Sequence, residues 1–180
     1  MDPFSLMGLA RRPLLREEEI GIAYRKLAAK LHPDQAEGDA IHFKELGEAL
    51  ATLSDPARRL RVLINNTSNS SIPPEAADLF PQVATLLREA DDLLARNATA
   101  SNPLAKAVLA APLRKLANDL HSLLARISDW RSRLEARLTE LDANWPGQDP
   151  EAVADLADSF SYAIRWESQL RERKLSLECL

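Results

Sequence analysis

The side chains best suited to recognition lie close together, between residues 25 and 34. Three basic residues precede a triplet that combines an imidazole, a proline and a carboxylate. These six residues are Arg25, Lys26, Lys30, His32, Pro33 and Asp34. An imidazole changes charge near neutral pH, and a carboxylate accepts hydrogen bonds. This chemistry suits either a contact with a charged partner or coordination of a metal ion.

An amphipathic helix from about Arg16 to Leu31 is predicted to carry the basic residues. Lys26 and Lys30 fall on the face opposite the apolar stripe, and Arg25 lies at its flank. Pro33 ends the helix and disfavours the α conformation at the residue before it, so an exposed corner presents the triplet. The apolar positions at helical spacing are Ile20, Tyr24, Leu27 and Leu31.

A second amphipathic helix follows the polar loop at residues 35–40, which makes the triplet the tip of an antiparallel helical hairpin. The segment from Asp2 to about Ile64 resembles a J-domain. The motifs that carry this resemblance are residues 2–9, residues 23–28, the His-Pro-Asp triplet at 32–34 and Ser54-Asp55-Pro56. The resemblance implies that the triplet and the three basic residues engage a DnaK-type chaperone and stimulate its ATP hydrolysis. The chain itself would then be no enzyme.

Two features resemble the HscB type of J-domain protein, a co-chaperone of iron–sulfur cluster assembly. The interval from Gly8 to His32 is two residues longer than in the DnaJ type, and residues 51–63 resemble the HscB stretch with a Pro, an Arg and paired Leu residues. The resemblance implies an HscA-type chaperone partner. It also implies that a C-terminal three-helix bundle binds an iron–sulfur scaffold protein.

Residues 65–74 are polar, lack periodicity and end in two prolines, so they predict a linker between a J-domain at 1–64 and a helical bundle at 75–180. The bundle is expected to contain three long antiparallel helices, with residues 103–112 forming either a kinked lead-in or a separate turn. Three bundle residues resemble scaffold-facing positions, with Trp166 at the core edge or partly exposed. They are Leu87, Arg88 and Trp166. The chain departs from the family pattern at Pro81, Gln82 and Thr85.

Composition limits the other classes of function. The chain has a net charge of −4, which gives no overall attraction to nucleic acid. Cys179 is the single cysteine and no long apolar run occurs, so we expect a reducing, cytoplasmic location without a membrane span. No cofactor is expected. The spacing of His32, Asp34 and His42 fits no zinc helix pattern, so a metal site is not expected there.

Two alternatives to the HscB-like function stay open from the sequence. One is a J-domain co-chaperone for a different client, which the departures near Pro81 favour. The other is a helical adapter that has lost its chaperone contact.

Overall fold

The computed structural model of the chain describes residues 2–32, 39–65 and 71–179. Every regular element in these ranges is an α-helix, which confirms the predicted all-α class. The residues group into two compact units, one formed by residues 1–71 with 135–158 and the other by residues 72–134 with 159–180. The helices are α1 (Pro3–Met7), α2 (Glu17–Leu31), α3 (Ala40–Ser54), α4 (Pro56–Leu63), α5 (Pro74–Thr99), α6 (Pro103–Ala143) and α7 (Pro150–Glu178).

Side-chain caps define the short helices of the first unit. The Asp2 carboxylate accepts a hydrogen bond from the Ser5 amide at 2.9 Å, and Gly8 closes α1 with φ at 64°. That left-handed conformation is strained for residues with a Cβ, so glycine suits this position. Asp55 caps α4 by accepting from the Ala57 amide at 2.8 Å, immediately after α3 ends. The predicted stop at Ser54-Asp55-Pro56 is thus confirmed.

Helix α3 forms the centre of the first unit, in contact with α1, α2 and α4. Its buried side chains lie on one face at helical spacing, as the sequence predicted. These three neighbouring helices supply bulky apolar groups that meet this face. Within α1 to α4, the residues with 2% exposure or less are Phe4, Ile20, Leu46, Leu53 and Leu60.

The end of α6 and the start of α7 complete the first unit. Arg12 forms an ion pair with Asp142, whose side chain is 6% exposed, and the Leu14 amide donates to the same carboxylate at 3.0 Å. Arg61 pairs in the same way with Asp158, whose side chain is also 6% exposed. The first unit is therefore assembled from segments that lie far apart in the sequence.

The second unit consists of α5, α6 up to residue 134 and α7 from residue 159. Arg126 of α6 donates to Gln82 of α5, and Arg131 of α6 donates to Glu167 of α7 at 2.8 Å. Arg173 of α7 donates to Asp91 of α5 at 2.7 Å. Helix α6 runs antiparallel to the other two helices, because its start lies beside the end of α5 and its residue 121 lies beside the end of α7. The buried stripe of α6 is Leu116, Leu120, Leu123, Ile127, Trp130, Leu134 and Leu138.

The structure bears on two further expectations. Residues 103–112 form the beginning of one continuous helix, α6, so the separate turn is excluded and the lead-in alternative applies. Pro112 has no amide hydrogen to donate to the preceding turn of the helix. Because Pro112 is exposed, the carbonyl that lacks this hydrogen bond lies at the surface. In the predicted linker, residues 66–70 lie outside the described residues, while Ser71 donates to Asp158 at 2.9 Å. The domain boundaries at 64 and 75 stay a prediction.

Candidate partner-binding surface

The basic face of α2 consists of Arg25, Lys26 and Lys30, all of them exposed. The opposite face buries Ile20 and half-buries the other three predicted apolar positions. Glu17–Glu19 occupy the first turn of the helix, so the acidic groups lie at the positive end of the helix dipole and Lys30 lies at the negative end. In the described part of the chain no ion pair joins the basic face to a carboxylate. The three cations are therefore available to an acidic partner.

Gly21 affects how this face is arranged. A Cβ at Gly21 would lie 3.2 Å from Nη1 of Arg25, so the guanidinium folds back over the bare glycine backbone. Arg25 thereby covers the position where a larger side chain would project. Ile22 is 53% exposed and adds an apolar group to the groove wall that Lys26 also lines.

The described residues at both ends of the His-Pro-Asp loop, residues 32–39, fix its attachment to the hairpin. His32 ends α2 with its amide donating to Ala28 O at 3.0 Å. Its exposed ring meets Phe43 of α3 edge-on, with centroids 5.4 Å apart. The Asp39 amide donates to Leu31 O at 3.2 Å, which brings the two helix ends together. Pro33 and Asp34 lie outside the described residues.

The start of α3 carries a charged cap. The Asp39 carboxylate accepts from the amides of Ile41 and His42, and its Oδ2 lies 2.6 Å from Nδ1 of His42. This contact raises the pKa of His42. The same contact, together with the amide bonds, holds the pKa of Asp39 below its usual range. Asp39 therefore remains a charged N-cap next to the loop.

A groove of about 850 Å³ lies beside the basic face. Its walls include Ile22 and Lys26 of α2 and Gly8 and Leu9 at the end of α1. The groove combines apolar surface with basic groups and with two acidic groups, Glu18 and Glu19, and it suits non-covalent binding. Among the described residues, no cluster of three or more His, Cys, Asp or Glu side chains could hold a metal ion.

The three predicted scaffold-facing residues differ in how far they are exposed to solvent. Leu87 is half-buried, and Arg88 is exposed with its Nε donating to Ala84 O at 3.2 Å. Trp166 is only 3% exposed, so of the two alternatives the core position applies. Its ring lies 6.2 Å from Trp130 and 5.2 Å from Tyr162. The reason is that α7 packs on two neighbouring helices, so its buried face is wider than one stripe.

The sequence reasoning missed the polar groups that support the hairpin. Arg59 is 4% exposed and donates from Nε to Pro13 O at 2.7 Å. It also donates to Leu53 O, while Trp145 donates from Nε1 to Arg11 O at 3.0 Å. The sequence gives no sign that Arg59 is buried, because it lies among other arginines and a charged side chain is normally expected to face solvent.

Comparison with known proteins agrees with the J-domain resemblance. Residues 2–62 match the DnaJ domain family. The chaperone protein DnaJ of Chlamydia pneumoniae is 48% identical over 62 residues, which are 33% of this chain and 15% of that protein. Protein SIS1 of Saccharomyces cerevisiae is 43% identical over 56 residues, 31% of this chain and 15% of that protein. DnaJ homolog subfamily C member 18 of Bos taurus is 45% identical over 60 residues, 32% of this chain and 16% of that protein.

These matches cover the first third of the chain, and the chain spans only 15% of the DnaJ and SIS1 relatives. The predicted J-domain resemblance is confirmed for residues 2–62. None of the three relatives' names refers to iron–sulfur cluster assembly. No helix within the described ranges is long and apolar enough to cross a membrane.

Proposed function

We propose that this chain is a J-domain co-chaperone that binds a DnaK-type chaperone and stimulates its ATP hydrolysis. The observation that carries the proposal is the exposed basic face of α2, which runs directly into the His-Pro-Asp loop. This arrangement lies within the segment that matches the DnaJ domain. The ATPase chemistry takes place in the partner, and this chain supplies the contact.

The charges of the basic face suit a transient encounter. An exposed ion pair contributes roughly 0–1 kcal/mol and is screened beyond a Debye length of about 8 Å at physiological salt. Three such cations steer an acidic surface towards the hairpin and raise the association rate more than the affinity. Ile22 and the adjacent groove add apolar contact that salt does not screen. In this proposal His32, Pro33 and Asp34 form the directional part of the contact.

The test is single-turnover ATP hydrolysis by the cognate DnaK-type chaperone. The wild-type chain is expected to accelerate hydrolysis, and Asp34→Asn is expected to abolish the acceleration. Lys26→Glu is expected to require roughly 5–30-fold more protein for half-maximal stimulation, equivalent to about 1–2 kcal/mol from one lost attraction and one new repulsion. Arg133→Glu, an equally exposed charge reversal on α6, serves as the matched control. Equal stimulation by wild type and Asp34→Asn refutes the role given to Asp34, whereas no stimulation by either protein refutes the co-chaperone function and favours the adapter function.

We further propose that the client is an iron–sulfur scaffold protein, as in the HscB type. The Gly8–His32 interval, the resemblance of residues 51–63 and the helical C-terminal part support this client. In this proposal residues 1–64 bind the chaperone, residues 65–74 link the two parts and residues 75–180 bind the scaffold. Leu87 and Arg88 provide the accessible contacts, whereas Trp166 acts through its packing because its ring is buried.

A J-domain co-chaperone for a different client is the second candidate. Pro81, Gln82 and Thr85 replace the apolar residues of the family, and Trp166 offers almost no exposed surface. Calorimetric titration with the purified scaffold protein separates the two clients. The first client predicts binding that Arg88→Glu weakens and Arg133→Glu leaves unchanged. Absence of binding by the wild-type chain eliminates the scaffold client and leaves the J-domain function intact.

A further inference from the structure

Gly21 lies inside α2, where glycine is the least favourable residue after proline. The backbone does not require it, because among the glycines that the structure describes only Gly8 and Gly147 have a positive φ. The other physical reason for a glycine is the close approach of a neighbouring group to the bare backbone. The surroundings of Gly21 therefore decide what it does.

The group that approaches Gly21 is the guanidinium of Arg25. A Cβ at Gly21 would have three guanidinium atoms as its nearest neighbours, Nη1 at 3.2 Å, Cζ at 3.8 Å and Nη2 at 3.9 Å. Long side chains of a helix lean towards its N-terminus, over the residues three and four positions earlier. Arg25 follows this direction, and its planar head lies against the position where any other residue at 21 would carry its side chain.

This approach moves the charge of Arg25 along the helix. At a rise of about 1.5 Å per residue, position 21 lies about 6 Å nearer the N-terminus than position 25. The guanidinium thus lies at about the level of Ile22, which is 53% exposed. The helical rotation of about 100° per residue places Ile22 about 60° from Arg25 and about 40° from Lys26, so an exposed apolar group lies between two cations.

We infer that Gly21 is a positioning residue for the proposed chaperone contact. Its bare backbone lets the Arg25 guanidinium lie beside Ile22, where the cation meets a carboxylate of the DnaK-type chaperone and Ile22 meets an apolar group of the same surface. An apolar contact next to an ion pair excludes water, which reduces the screening of the charges. The inference rests on the function proposed above and adds the position at which one of the three cations acts.

Helix stability separates this role from that of a merely tolerated glycine. If Gly21 only weakens α2, a residue with a higher helix propensity stabilises the chain and leaves the chaperone contact unchanged or improved. If Gly21 positions Arg25, the same substitution stabilises the helix and weakens the contact, because the new side chain displaces the guanidinium. Stability and stimulation are thus expected to change in opposite directions.

The test measures single-turnover ATP hydrolysis by the cognate DnaK-type chaperone, titrated with the full chain, and the urea midpoint of each variant. Gly21→Gln is expected to raise the midpoint and to require about two- to fivefold more protein for half-maximal stimulation, the range of one exposed ion pair. The maximal rate is expected to stay the same, because the His-Pro-Asp triplet is untouched. Gly21→Ala is expected to have the smaller effect on stimulation, since a methyl group displaces the guanidinium only slightly.

Gly47→Gln on α3 is the matched control. A Cβ at Gly47 would meet no neighbouring atom within 4 Å, so this substitution is expected to raise the urea midpoint and to leave stimulation unchanged. A double-mutant cycle tests whether Gly21 acts through Arg25. Arg25→Gln alone is expected to raise the half-maximal concentration, and Gly21→Gln is expected to add nothing further when both substitutions are in one chain.

Three results would overturn the inference while the co-chaperone function stands. Half-maximal stimulation by Gly21→Gln at the wild-type concentration or below would remove the positioning role. An equal loss in Gly47→Gln would make the loss a general effect of replacing a helical glycine. A further loss when Gly21→Gln is added to Arg25→Gln would show that Gly21 does not act through Arg25. Absence of stimulation by the wild-type chain would refute the co-chaperone function and this inference with it.

Discussion

Asp142 offers a quantitative test of how the hairpin is supported. Its side chain is 6% exposed and accepts from Arg12 through both Nε and Nη2, the Nε bond measuring 3.0 Å. It also accepts from the Leu14 amide at 3.0 Å. Asp142→Ala removes all three acceptor contacts and leaves a partly buried amide without its partner.

The expected loss of unfolding free energy follows from the exposure of each donor. An unsatisfied, partly buried amide costs about 1–2 kcal/mol. Arg12 is 49% exposed and regains water, so the loss of its ion pair adds little. Asp142→Ala is therefore expected to cost about 1–2 kcal/mol. Asp142→Asn keeps an acceptor for Leu14 and is expected to cost less.

The pH dependence gives this prediction a second part. The hydrogen bond from Arg12 holds the pKa of Asp142 below its ordinary value of 3.8. Because the folded-state pKa is the lower one, the stabilisation is present above the unfolded-state pKa and is lost as the pH falls through the folded-state pKa. The stability difference between wild type and Asp142→Ala is therefore expected to shrink below about pH 4.

Urea denaturation followed by circular dichroism measures the free energy, and hydrogen exchange of residues 10–15 reports the local effect. Hydrogen exchange is needed because two compact units can unfold in separate steps. Asp129→Ala, at an exposed position on the same helix, is the control and is expected to change stability by less than about 0.5 kcal/mol. Equal stabilities of the Asp142→Ala and Asp129→Ala variants at neutral pH would refute the reasoning. A difference that persists unchanged into acid would refute the assignment to the carboxylate.

Two further predictions concern Arg59 and the cap of α3. Arg59→Met leaves the carbonyls of Pro13 and Leu53 without their donor, so it is expected to lower the free energy of unfolding, measured in urea, by about 2–4 kcal/mol. Arg58→Met, at the exposed neighbouring position, is the control and is expected to cost little. Equal costs for the two variants would contradict the buried role of Arg59. Asp39→Asn is expected to lower the pKa of His42 in an NMR titration, and Glu45→Gln is expected to lower this pKa by a smaller amount. An unchanged pKa of His42 in Asp39→Asn would exclude the contact between Asp39 and His42. The contribution of this contact to stability should be largest between about pH 4 and pH 6.5. It is lost in acid as the pH falls through the lowered pKa of Asp39, and it is lost at higher pH as the pH rises through the raised pKa of His42.

Periodicity was the part of the sequence that predicted structure well. The α6 positions from Leu116 to Leu138 recur every three or four residues, and all seven are buried. The same spacing continues to Leu113 and Leu141, which are half-buried. A repeated pattern averages over many residues, so a single deviation does not change the predicted face. The basic face of α2 was predictable for the same reason.

Isolated residues were harder to predict because each lacks such a pattern. Arg12 and Asp142 are separated by 130 positions, and no local rule pairs one surface-type charge with another over that distance. Trp166 was ambiguous because it lies next to the main stripe of α7, and only the packing of two neighbouring helices shows that it is buried. Pro112 left two alternatives open, because a proline can end a helix but is also tolerated inside one where the lost hydrogen bond faces solvent.

The first compact unit contains more residues than the segment that matches the DnaJ domain. The additional residues support the helix that is proposed to contact the chaperone. The DnaJ domain match ends at residue 62, whereas the first compact unit also includes residues 135–158. Those residues supply the carboxylates for Arg12 and Arg61, and Trp145 donates to the backbone of Arg11. The segment at residues 11–14 leads directly into α2, so its anchoring limits the motion of the helix that carries the basic face. The residues that would touch the chaperone are thus encoded near the N-terminus, while part of their support is encoded more than 120 positions later.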